Sequence, residues 1–255
     1  MPIVPATAVV PVPNAPAGKT LTYLDPNGVH PVQGLAPPTP APAPPIDIFT
    51  AAETAIDADR AANAPGATAL GPPPNFTFTD LTTNVPATVN GDAFHGGIAD
   101  IKSQFIDLTP DNLLVQATTP GAFINTGSGN DVLIAQGGHN ILDGGSGQNV
   151  FVGGSGQDTF IQDMTKAGGS ATVLNAHSGD SIVLEIGDAS NFIQSLDDTP
   201  AGLQLTLTGT GAFAGRTTEL VVAGFKVADL GPKFTIGAET NLTNPAHDFL
   251  TLHFT

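Results

Sequence analysis

Residues 126–161 read TGSGNDVLI AQGGHNILD GGSGQNVFV GGSGQDTFI, four rows of nine with no insertion. The eighth position of each row is apolar: Leu133, Leu142, Phe151 and Phe160. Counting back in nines, the register continues through Ile124, Val115 and Ile106. A period of nine matches neither a helix nor a hairpin; it suits a solenoid in which each row is one turn and one short strand. The eighth side chain then points inward and successive strands line opposite walls, so two rows make one coil. The chain must turn back at every row, and glycine supplies positive φ and close backbone approach there. Gly127, Gly129, Gly138, Gly145, Gly147, Gly154 and Gly156 all fall in the turn half.

Stacked turns place glycine carbonyls and the sixth-position side chains in register along each edge. The sixth positions are Asp131, Asn140, Asn149 and Asp158. Such oxygens are hard ligands, suited to calcium. The rows resemble the RTX (repeats-in-toxin) family of hemolysin-type calcium-binding repeats, whose nonapeptide is GGxGxDxUx. GGSGQDTFI at 153–161 matches it in full; GGSGQNVFV departs only at Asn149, TGSGNDVLI lacks the first Gly, and AQGGHNILD is degenerate. The resemblance implies a parallel β-roll with Ca2+ between turns on the same side, ligated by the seven turn glycines named above with Asp131, Asn140, Asn149 and Asp158. Same-side neighbours are two rows apart and pair Asp131 with Asn149 and Asn140 with Asp158. Each pair holds one carboxylate where the family pattern has two, so one or two weak sites are expected, with Kd of about 0.1–1 mM. Asp143 and Asp163 lie next to the turns and read as solvated surface carboxylates.

Upstream the texture differs. Residues 1–75 hold 17 of the 23 prolines, including TPAPAPP at 39–45. Residues 1–45 read as a Pro-rich extended arm. Within 46–75, the segment IDIFTAAETAIDADRAAN (46–63) predicts one short helix, with Ile48, Phe49, Ala52 and Ile56 on one stripe between Pro45 and Pro65. NFTFTDL at 75–81 alternates as a strand does and opens a solenoid region, 76–161. Residues 162–255 read as a C-terminal β cap, because an open solenoid end exposes core and strand edge. Its strand candidates are ATVLN (171–175), DSIVLEI (180–186), LQLTLT (203–208), TELVVAGF (218–225) and FLTLHFT (249–255). HSGDSIVL at 177–184 resembles the stretch that follows RTX repeats. No Lys or Arg follows Lys233. This tail looks like the uncleaved type I secretion signal that members of the family carry, which makes the type I machinery an expected partner. The fold class expected is thus all-β: a parallel β-roll with a C-terminal β cap, an extended arm and one short helix.

The 255 residues hold 7 Lys+Arg against 23 Asp+Glu, a formal net charge of −16. Phosphate binding needs clustered Lys/Arg, so nucleic acid is a poor partner and cations are good ones. Without cysteine, disulfides, Cys-ligated zinc and thiol nucleophiles are excluded. No basic N-terminal region precedes an apolar run, and no stretch of 18 apolar residues could span a membrane. The six His are scattered, with no HExxH pair. In GGSGQ the fifth residue is Gln148 or Gln157 rather than Gly, so the Ser is no G-x-S-x-G elbow. These readings together predict a secreted, extracellular, non-enzymatic calcium-binding protein that assembles with copies of itself through the arm and the sheet edges. The alternatives are a monomeric calcium-binding adhesin or interaction module and, third, an enzyme of unrecognised type.

Overall fold

The computed structural model describes residues 21–25, 28–31, 76–82, 90–94, 98–166, 168–187, 191–239 and 248–255. The expected helix at 46–63 and most of the arm lie outside the described residues. Eighteen strands are described. They run β1 (Leu21–Asp25), β2 (Gly28–Pro31), β3 (Phe76–Asp80), β4 (Asn90–Ala93), β5 (Ser103–Ile106) and β6 (Leu113–Ala117). Next come β7 (Ala122–Asn125), β8 (Val132–Ile134), β9 (Ile141–Asp143), β10 (Gln148–Val152), β11 (Thr159–Asp163) and β12 (Ser170–Leu174). The last are β13 (Ser181–Gly187), β14 (Phe192–Thr199), β15 (Gly202–Gly209), β16 (Thr217–Val222), β17 (Phe234–Glu239) and β18 (Asp248–Phe254). Two 3-10 turns, Gly211–Phe213 and Val227–Asp229, complete the described elements.

The strands form two sheets, one of ten in the order β2-β1-β17-β18-β13-β11-β9-β7-β5-β4 and one of eight in the order β14-β15-β16-β12-β10-β8-β6-β3. From β5 to β13 the chain alternates between them, and every same-sheet neighbour in this run is parallel. That is a β-roll, all-β as expected. Its rungs in the second sheet are Val115, Leu133, Phe151 and Val173; in the first they are Phe105, Ile124, Leu142, Phe160 and Ile182. Each of these side chains is at most 1% exposed, so the inside of the roll is dry. Burying one such side chain contributes about 1.5–3 kcal/mol.

The nine-residue count fails at one expected rung. Ile106 points to the outside of the first sheet, and Phe105 takes the inward place. The cause is the turn Asp107–Asn112. β5 pairs with β7 at an offset of nineteen residues, Ser103 with Ala122, whereas β6 pairs with β8 at eighteen, Leu114 with Val132. The turn around Pro110 carries one residue more than the glycine turns below it. Downstream, the offset from β10 to β12 and from β11 to β13 grows to twenty-two, as Phe151 with Val173 and Phe160 with Ile182. Parallel pairing therefore continues past the four rows, through β12 and β13 and on to β16.

Both ends are closed by antiparallel strands. β3 lies on β6 and β4 on β5 at the upstream end. Downstream, β18 and β17 extend the first sheet while β15 and β14 extend the second. The β1–β2 hairpin, from the proline-rich arm, pairs with β17. The two outer faces differ. Val132, Ile134, Val150 and Val152 on the second sheet are half-buried. On the first sheet Ile106, Phe123, Ile141, Ile161 and Val183 form a separate buried cluster with Phe94 and Ile98 against it.

Candidate metal centre

The turns stack along two edges. One edge carries residues 107–112, 126–131 and 144–149; the other carries 135–140, 153–158 and 175–180. Glycine is obligatory where the stacked backbones touch. A Cβ on Gly145, whose φ is +55°, would lie 1.7 Å from the Gly127 carbonyl oxygen, and one on Gly147 would lie 2.0 Å from that of Gly129. On the other edge Gly154 faces the Gly137 carbonyl, and Gly156 sits against Gly138.

Each sixth-position side chain reaches back one coil and accepts a backbone N–H. Asp131 Oδ1 accepts from Leu113 at 2.8 Å, and Asn149 Oδ1 from Asp131 at 2.8 Å. On the other edge Asn140 Oδ1 accepts from Ala122 at 3.0 Å, and Asp158 Oδ1 from Asn140 at 3.0 Å. One oxygen suffices for this ladder, which is why Asn serves as well as Asp at these positions. Asp180 continues it, accepting from the Asp158 N–H at 2.8 Å. It is the sixth residue of NAHSGD (175–180), a turn that the sequence reading did not extend to this edge.

What remains is the second polar atom of each side chain. Asp158 Oδ2 accepts the Gly154 N–H at 2.8 Å, and Asn140 Nδ2 donates to Asp158 Oδ1 at 2.8 Å and to the Gly137 carbonyl at 3.2 Å. Asp180 Oδ2 accepts the His177 N–H and lies 3.0 Å from that ring's Nδ1. Asn149 Nδ2 donates to the Gly144 carbonyl at 2.7 Å and to Gln162 Oε1 at 2.9 Å. Gln162 in turn donates through Nε2 to the carbonyls of Gly145 at 3.0 Å and Gly147 at 3.3 Å. These amide hydrogens meet oxygens of the kind a cation would otherwise neutralise. Gln162 follows the last row in the sequence, and nothing in the nonapeptide spacing points to it.

Asp131 is the exception. It is 1% exposed, and the buried Thr126 hydroxyl is the donor nearest its carboxylate, with no amide or cation reaching its Oδ2. A buried polar atom without a partner costs about 1–3 kcal/mol, more when charged. An orphaned carboxylate oxygen with a hydroxyl next to it is a hard, anionic donor set, and the residues present fit calcium here. A bound ion would be held by Asp131 and Thr126 and would supply the positive charge this corner lacks. Among the described residues, no group of three or more His, Asp or Glu side chains is gathered to hold a metal ion, so backbone carbonyls and hydroxyls would have to complete any site.

Asp143 is not the solvated carboxylate expected from sequence. It is 9% exposed on the covered outer face of the first sheet, accepting the Gly145 N–H at 2.8 Å and Asn125 Nδ2 at 2.7 Å. Asp163 is part-buried and accepts the Thr165 N–H at 2.7 Å. Burial pushes the carboxyl of Asp131 up to about 6, against the hydrogen bonds that lower it, and does the same for Asp143. Asp180 is raised too, again by burial.

A pH dependence follows. The ordinary carboxyl value is 3.8, so between about 4 and 6 the folded chain holds protons that the unfolded chain has released. The metal-free protein should lose stability as pH rises through this window and level off above it. Calorimetry in chelator should give a higher Tm at pH 5 than at pH 7.5; an equal or lower value would show that these carboxyls carry no penalty.

The family model of the RTX calcium-binding nonapeptide repeat matches residues 125–160 in four copies. No curated protein and no solved structure matches the chain. The family binds Ca2+ through such turns, and the match falls on the rows whose glycines and sixth-position oxygens line the two edges. Residues 125–160 therefore match four copies of the RTX calcium-binding repeat, and the family those repeats define binds Ca2+.

Proposed function

We propose that this protein binds calcium, is secreted, has no enzymatic role and serves as a structural element that self-assembles outside the cell. The observation that carries the reading is the roll itself. Its repeats, and the strands on either side of them, join two continuous sheets around one dry core. RTX proteins typically leave the cell by type I secretion, and the chain's C-terminal tail resembles the signal for it. No helix among the described residues is long and apolar enough to cross a membrane.

Assembly is supported by the β1–β2 hairpin. A segment of the arm adds to a sheet edge by antiparallel pairing with β17. The same edge in a second copy offers the same hydrogen bonds, and exchange of such an element between copies is a low-cost route to polymers. The protein's surplus of negative charge would keep copies apart until calcium screens it.

The test is size-exclusion chromatography and electron microscopy of the full chain in millimolar calcium and in chelator, with a variant lacking residues 1–45. Polymers should form in calcium and be lost with the arm. A monomer under both conditions would replace assembly with the reading of an adhesin or interaction module. Polymers that form normally without the arm would remove the arm from the mechanism.

A further inference from the structure

The Asp131 corner contains more than the repeat supplies. The extra residue in the turn Asp107–Asn112 shifts the register, so that Ile106 pairs with Asn125 and Asp107 falls beside Thr126. Without that residue Asp107 would share the outward row of Asn125 and Asp143. With it, strand alternation turns Asp107 to the inside, where it is 4% exposed. Asp107 Oδ1 accepts the Thr109 N–H at 3.0 Å, but its Oδ2 has no partner. Two turns of one edge thus bring three buried oxygens to one corner: Asp107 Oδ2, which has no partner, and Thr126 Oγ1 beside Asp131 Oδ2. The charges of Asp107 and Asp111 are close enough to act on Asp131. The backbones are in contact as well, since a point one bond out from Gly129 lies 2.0 Å from the Asp111 carbonyl and 2.6 Å from Asp131 Oδ1.

One coil further down, the corresponding corner is closed by the Asn149–Gln162 amide pair. At this upper corner no amide reaches Asp107 Oδ2 or Asp131 Oδ2, and two buried carboxylates with a single hydroxyl beside them call for a cation. We propose that Asp107, Thr126 and Asp131 hold one Ca2+ at the upstream corner of the roll, outside the pairing of nonapeptide rows, with Asp111 adding charge from the rim. Asp107 lies outside the matched repeats, and so does its turn. The site rests on the calcium-binding reading and locates its principal ion.

The test is isothermal titration of CaCl2 into the metal-free full chain at pH 7.5, with Asp107→Asn and Thr126→Val, and calorimetry of each in chelator. Asp107→Asn keeps the acceptor for Thr109 and gives Asp131 an amide donor. It should weaken calcium binding at least tenfold and raise Tm in chelator. Thr126→Val, which swaps a buried hydroxyl for a methyl, should weaken binding several-fold. Wild-type binding retained in either variant, folded as judged by its melting transition, would place the ion elsewhere and leave calcium binding intact. No heat with the wild-type chain would overturn the calcium reading itself.

Discussion

Phe160→Ala should cost about 3–5 kcal/mol and leave little folded protein at 37 °C. Phe160 is fully buried, and its ring lies 5.9 Å from that of Phe151 across the narrow interior. The roll has one rung per wall per coil, so no second layer of side chains can collapse into the space left behind. A domain is stable by only about 5–15 kcal/mol, and this loss takes a large share of it. The ring pair should add a coupling of about 0.5–1.5 kcal/mol, measurable in a cycle with Phe151→Ala. Val132→Ala, on the half-buried outer face, is the control and should cost much less. Urea unfolding would measure both, and equal losses would mean that the two faces of the strands are not distinguished as described.

Gly145→Ala should be nearly as damaging, by about 2–5 kcal/mol, although it adds a single methyl. Two terms act together. A positive φ costs an L-residue about 1–2 kcal/mol, and crowding a close-packed contact adds about 1–3. The added carbon would sit 1.7 Å from the Gly127 carbonyl, which is backbone and cannot swing aside as a side chain would. Moving it would disturb the Ser146 N–H to Gly127 carbonyl bond that joins the two turns. Gly168→Ala is the comparison: its φ is +80°, but nothing lies within 4 Å, so only the dihedral term applies. A Gly145→Ala loss no larger than that of Gly168→Ala would show that the stacked turns have room to part.

The rungs from Val115 to Phe160 were legible because the turns joining them keep a strict spacing of nine. Ile106 was misplaced because the turn at Pro110 has one residue more, and a one-residue slip exchanges the two faces of a strand. The coil through β12 and β13 was hidden in the same way, by the longer connection at residues 164–169. β17 escaped notice because Gly237 interrupts its alternation, and β14 because Asp197 and Asp198 sit at its end. In the site, the sixth positions follow from spacing alone. The roles of Gln162 and Asp107 do not, because each depends on which residue lies one coil away, and that register is set by turn length. The burial of Asp143 depends on the cover over the first sheet, which spacing does not report.

Two rows per coil give the roll a unit of length. Duplicating or deleting eighteen residues would return every later side chain to its own wall and edge, and β13 and β16 would still present the right faces to the closing strands β18 and β15. A change of nine would exchange the walls, sending the terminal strands to the wrong sheet and setting Asp158 above the turns that now carry Asn149. Natural or engineered variants of this chain should therefore come in whole-coil sizes, a quantisation that no single row carries by itself.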